Sequence, residues 1–147
     1  MTPLEAQQIL RDNFAPWVQA LGLVVEACDE HRVCLRMPFS DALVRIGGTI
    51  CGQALMSAAD TAMVIAISAQ QGGFRPMATV SQNSSFMRGI SGADVEIIAR
   101  VLKPGRTLVF GEVSLRAVGD ARVAVHVTTT YALAAAQGAG GRPRLPR

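Results

Sequence analysis

Residues 47–62 read Gly47-Gly48-Thr49-Ile50-Cys51-Gly52-Gln53-Ala54-Leu55-Met56-Ser57-Ala58-Ala59-Asp60-Thr61-Ala62, and small apolar residues dominate onward to Ala69. A glycine-rich turn thus leads into a segment whose one charged residue between Gly52 and Gln71 is Asp60. Ala, Leu and Met favour helix, and Gly72-Gly73 after Gln71 supplies a stop. A helix apolar nearly all round must be covered on every side. The stretch predicts one long buried helix, opening at Thr49 or Cys51 and ending near Ala69.

On its N-terminal side, Thr2-Pro3-Leu4-Glu5 forms a capping box with proline at the first helical position. An amphipathic helix follows, with Ile9, Leu10, Phe14 and Trp17 on its apolar side, interrupted by Pro16. Residues 23–28 and 32–37 predict a hairpin around Asp29-Glu30-His31. On the C-terminal side four strands are expected at 79–87, 93–102, 108–117 and 122–133. The clearest alternates Val95, Ile97, Ala99 and Val101 with Asp94, Glu96 and Arg100. Lys103-Pro104-Gly105-Arg106 and Gly119-Asp120 are turn signals.

Helix, hairpin, long apolar helix and then a four-strand antiparallel meander make an α+β chain. The economical architecture is a curved antiparallel sheet wrapped around one long central helix, with a second subunit helping to cover it. Residues 1–134 read as one domain. Residues 135–147 end in Arg142, Arg144 and Arg147 after a Gly- and Ala-rich run, and are expected to be a flexible tail.

The composition is globular, with half the 147 residues hydrophobic and 17% charged. Part of the +3 net charge sits in the tail arginines, so it does not argue for nucleic acid, and one Trp, one Tyr and five Phe offer few stacking surfaces. Three cysteines, Cys28, Cys34 and Cys51, lack metal-type spacing and suit a reduced, cytoplasmic protein. The start Met-Thr-Pro-Leu-Glu has neither a basic region nor an apolar core, so no signal peptide is expected. The apolar stretch 54–69 is interrupted by Ser57, Asp60 and Thr61 and is short for a bilayer, so no membrane partner is expected.

Three, four and seven residues from Asp60 lie Gln53, Met56, Ser57, Met63, Val64 and Ile67, none of them charged. A solvated Asp would share its face with Lys, Arg or Glu. Burying a carboxylate is costly, so Asp60 either does chemistry or caps a local break with Thr61. The glycine-rich helix start offers unpaired N–H groups and the positive end of a dipole. Gly52 and Asp60 stand about 12 Å apart along one helix, too far for both to act on one carbonyl. If both act, they come from two copies of the helix, and the sequence predicts a homodimer with composite sites.

Residues 79–85 are polar on both faces. They suit either a solvated edge strand or the wall of a wet channel, and alternation puts Thr79, Ser81 and Asn83 on one side.

The run from Gly47 through Asp60 to Ala62 resembles the helix signature of hotdog-fold acyl-CoA thioesterases of the phenylacetate-degradation (PaaI-like) family, roughly G-T-x-H-G-G, six residues, then Asp. The resemblance continues through 78–88 and through Val101-Leu102-Lys103-Pro104-Gly105-Arg106-Thr107 with Glu112. It implies hydrolysis of an acyl-CoA with an aryl or medium-chain acyl group, and no cofactor, since coenzyme A belongs to the substrate. Gly52 matches the glycine whose N–H polarises the thioester carbonyl. Asp60 matches the carboxylate that serves as general base or nucleophile, and Thr79 matches a hydroxyl that holds the attacking water. A homodimer, paired into a dimer of dimers, is implied as well.

The chain departs from the pattern at Cys51, where the family has His, and at Gln53, where it has a second glycine. Arg45 stands where relatives often carry Asn. Cys51 reads as a small filler or as a reactive thiol, and Gln53 as an amide donor or a narrowing of the acyl pocket. Arg45, Cys51, Gln53 and Asn83 are expected to line the substrate site, and Arg88, Lys103 and Arg106 to meet phosphates of coenzyme A. His31 is expected in an exposed turn and His126 on a surface or tunnel wall. Neither fits a Ser–His–Asp pattern. The competing reading is a non-catalytic acyl-CoA binding protein whose site has degenerated at Cys51 and Gln53. A hotdog hydratase finds no matching His-containing motif.

Overall fold

The computed structural model describes residues 1–135, so the expected tail lies almost wholly outside the described residues. Helix α1 spans Pro3–Asn13 and α2 Pro16–Gln19. The capping box is formed: Thr2 Oγ1 accepts from the Glu5 N–H at 3.2 Å and Glu5 returns a bond to the Thr2 N–H at 2.7 Å. Ala6 and Leu10 are the residues that α1 buries, while Trp17 is 64% exposed, contrary to its expected place on the apolar side.

Strands β1 (Val24–Cys28) and β2 (Arg32–Met37) form the expected hairpin, and Asp29 Oδ1 accepts from the N–H groups of His31 and Arg32 in the turn. Those bonds hold the Asp29 carboxyl below the usual carboxylate range. Helix α3 spans Gly52–Gln71 and stops at Gly72, whose φ of 76° is the left-handed conformation that glycine adopts freely. Then come β3 (Met77–Phe86), β4 (Val95–Lys103), β5 (Leu108–Ala117) and β6 (Val125–Leu133).

All six strands join one antiparallel sheet in the order β1-β2-β4-β5-β6-β3. This corrects the expected four-strand meander. Of those four strands only β4, β5 and β6 are paired in chain order, while β3 pairs with β6 and forms an edge. Helix α3 packs mainly on β4, β5 and β2, the chain leaving it forms the far edge as β3, and β4 returns to pair with β2.

The core runs between α3 and the sheet, with Leu35, Met37, Ile65, Ile67, Ile97, Val113, Leu115 and Val127 fully buried. At Gly111 the strand comes so close to the helix that an added Cβ would stand 2.4 Å from Met63 Sδ. Helix α3 opens one residue after the expected start at Cys51 and runs two residues past Ala69. Its 20 residues are long and apolar enough to cross a membrane, yet the helix is mostly buried within the fold, as in a core helix.

Candidate functional site

Helix α3 buries Ala54, Leu55, Ala58 and Ala59 against the sheet. Between them Gln53 and Met56 are exposed, and Ser57 and Asp60 half-buried. These four stand at i, i+3, i+4 and i+7, which is one face of a helix. The sheet leaves that stripe open.

Asp60 is held at the end of the stripe from two strands. Thr79 Oγ1 donates to Asp60 Oδ1 at 2.8 Å. The Tyr131 hydroxyl, from β6, donates to the same oxygen and also approaches the Asp60 main-chain carbonyl at 3.0 Å. Tyr131 is 1% exposed. Burial, then the Asp60 charge and the hydrogen bond to it, pushes the phenol far above its ordinary pKa, so it stays a donor at any working pH. Among the described residues the hydrogen bonds to the Asp60 carboxylate all fall on Oδ1.

A bulge in β3 sets Thr79 apart from the polar residues that follow it. Thr79 pairs with Tyr131 and Ser81 with Thr130, so Val80 is an extra residue without a partner. Opposed residues share a face and successive residues alternate. Thr79 therefore joins Tyr131 on the helix side, while Ser81 and Asn83 lie on the outer face with Thr130 and Thr128. The simple alternation that grouped Thr79, Ser81 and Asn83 is corrected by that one residue. Asn83 borders an outer cleft with Ser81, Phe110 and Thr128, away from Asp60.

The start of α3 forms a second cluster. Gly47 and Gly48 take φ values of 101° and 83°, which close the turn ahead of the helix. Cys51 is the N-cap residue, half-buried, and its side chain makes no capping bond. The first-turn N–H groups therefore have no side-chain cap, and Gly52 opens onto a cleft of about 310 Å³ lined by Arg45, Thr49, Phe86, Met87 and Arg88 among others. Arg45 is tied back to the Ile46 carbonyl at 2.7 Å. The structure thus brings Gly52, Arg45 and Arg88 to one cleft, with Cys51 adjoining Gly52 as its N-cap. Gln53 belongs to the open stripe. Lys103 and Arg106 sit at the β4–β5 turn, where Leu102 and Pro104 border a hollow with Gln70 near the other end of α3.

His31 is exposed beside Glu30, and His126 meets Glu112 at 3.1 Å. Its register opposite Ser85 and Ser114 puts it on the outer face of the sheet. No group of three His, Cys, Asp or Glu residues fit to hold a metal occurs among the described residues. Sequence reasoning missed Tyr131. A lone tyrosine in a strand carries no local signal, and its partner Asp60 lies 71 residues away.

Comparison with known proteins now places the chain. The model of the thioesterase superfamily matches residues 47–124, more than half of the sequence, and the protein belongs to that superfamily. Its sheet and central helix are the hotdog fold. A structure of zebrafish thioesterase superfamily member 2 is 26% identical, covering 91% of this chain and 99% of that one with a TM-score of 0.80. A thioesterase family protein from Silicibacter pomeroyi is 26% identical over 89% of this chain and 99% of its own, with a TM-score of 0.79. The thioesterase HI1161 from Haemophilus influenzae, 18% identical over 92% of each chain with a TM-score of 0.80, shares the fold. No curated protein matches the sequence. Superfamily and neighbours support thioester hydrolysis as the general activity.

Proposed function

We propose that the protein is an acyl-CoA thioesterase of the phenylacetate-degradation type, acting on aryl or medium-chain acyl groups in the cytoplasm as a homodimer with composite sites. The observation that carries this reading is the separation of two half-sites on one helix: a tethered carboxylate at Asp60 and an uncapped N-terminus at Gly52, about 12 Å apart. One protomer cannot bring both to a single carbonyl, but two can.

The edge strand β3 supports the dimer. Val80 is 59%, Phe86 50% and neighbouring Met87 53% exposed, on a strand whose outer edge has no partner among the described residues. A second β3 laid against it would cover these side chains and bring the open stripe of α3 under the other protomer.

In the reaction, Asp60 takes a proton from water as the water oxygen bonds to the thioester carbonyl carbon. The Gly52 N–H of the other protomer stabilises the negative oxygen. Collapse breaks the C–S bond, and coenzyme A leaves as a thiolate that is then protonated. Arg45 and Arg88 beside Gly52 suit the phosphates of the coenzyme.

Gly52→Pro tests this cleanly. Cys51 already has φ −66° and ψ 146°, which a following proline prefers, and proline is favoured at the first helical position. The variant removes the N–H, and its β-carbon meets the half-exposed Phe86 ring at 3.3 Å. Thiol release should fall about 10²–10³-fold, and Asp60→Asn should cost about 10²–10⁴-fold. Hybrid dimers of the two should recover activity at one intact site. Hybrids as inactive as their parents would refute composite sites. Tight acyl-CoA binding without thiol release in the unaltered protein would favour the non-catalytic reading raised by Cys51 and Gln53.

A further inference from the structure

We propose that Tyr131 is a positioning residue for the reaction: with Thr79 it saturates Oδ1 of Asp60 and so commits Oδ2 as the oxygen that takes the proton. The inference rests on the hydrolytic role of Asp60.

Three observations carry it. Both hydroxyls donate to the same carboxylate oxygen, and they reach it from two different strands. A carboxylate has two nearly equivalent oxygens and turns easily about its last bond. Two donors on one oxygen remove that freedom and leave the other oxygen's lone pairs unclaimed. Tyr131 is itself immobile, since its ring is buried and its strand is paired on both sides, by β5 and by β3. The bulge at Val80 sets Thr79, which faces Tyr131, apart from Ser81 and Asn83 on the outer face.

The cost of the arrangement marks it as more than packing. A buried phenol needs one acceptor, and the nearby main-chain carbonyl of Asp60 at 3.0 Å already offers one. The additional approach gives the half-buried carboxylate a donor from the core side, where a polar group needs partners. Thr79 supplies a second donor from an exposed position on the edge strand. The hydroxyl expected to hold a water thus holds the carboxylate itself.

Tyr131→Phe keeps the ring and its packing and deletes only the hydroxyl. It should lower kcat per folded molecule about tenfold with KM nearly unchanged. Thr79→Ala should lower kcat in the same way, and Thr79→Ser, which keeps the hydroxyl, should restore it. A structural role alone would lower the folded fraction and leave kcat per folded molecule in place, so thermal melts accompany the assays. Tyr131→Phe with full kcat, beside an inactive Asp60→Asn, overturns the positioning role and leaves the hydrolytic role intact. Full turnover by Asp60→Asn overturns both.

Discussion

The two halves of α3 have the same kind of sequence and opposite surroundings. From Thr61 to Ala69 every residue is buried, Ser68 included. From Gly52 to Asp60 the helix shows an open stripe of Gln53, Met56, Ser57 and Asp60. The difference is in what the sheet covers. The C-terminal half is enclosed on every side, whereas the edge strand β3 meets the N-terminal half through Thr79 at Asp60 and Gln82 at the Met56 carbonyl. The enclosed half carries stability and the open half carries the candidate chemistry.

That division can be broken by substitution. Ile67→Ala, in the enclosed half, should cost about 2–5 kcal/mol of stability, read by urea denaturation, while kcat per folded molecule stays unchanged. A large loss of kcat in the folded fraction would show that the two halves are not separable. In the open half, Gln53→Ala and Met56→Ala should each stay within about 0.5 kcal/mol of the parent in stability. Each should change kcat/KM several-fold, about 1 kcal/mol. A core-sized drop in stability there would mean the stripe is not open in solution.

The smallest effect lies far from both halves. The half-exposed Asp120 carboxyl is drawn down to about 2 by its hydrogen bonds with Arg122, from an ordinary value of 3.8. A folded-state value below the unfolded one means the contribution is present above pH 4 and is lost as pH falls toward 2. Asp120→Asn should therefore lower the melting temperature slightly at neutral pH, less so in high salt. Equal differences at neutral pH and near pH 2 would contradict the assignment.

How much of this was legible beforehand differs by element. The capping box at Thr2, the hairpin around Asp29 and the stop at Gly72 are local, and the spacing of a few residues announced each. Asp60 stood out because its helical neighbours carry no charge. Asn83, in contrast, was grouped with Thr79 by alternation, and the extra residue Val80 separated them. A bulge in a polar strand has no strong sequence mark, since none of its residues needs a special backbone angle; no non-glycine residue among those described takes a positive φ.

The sequence by itself determined a long apolar helix with one carboxylate, a glycine turn before it and strands on either side, because periodicity and turn chemistry act over a few residues. Only the tertiary structure decided that β3 lies beyond β6, that Thr79 turns inward, and that Tyr131 meets Asp60. Those outcomes depend on which strand pairs with which, and pairing is settled by contacts between segments tens of residues apart once the helix has taken its place on the sheet.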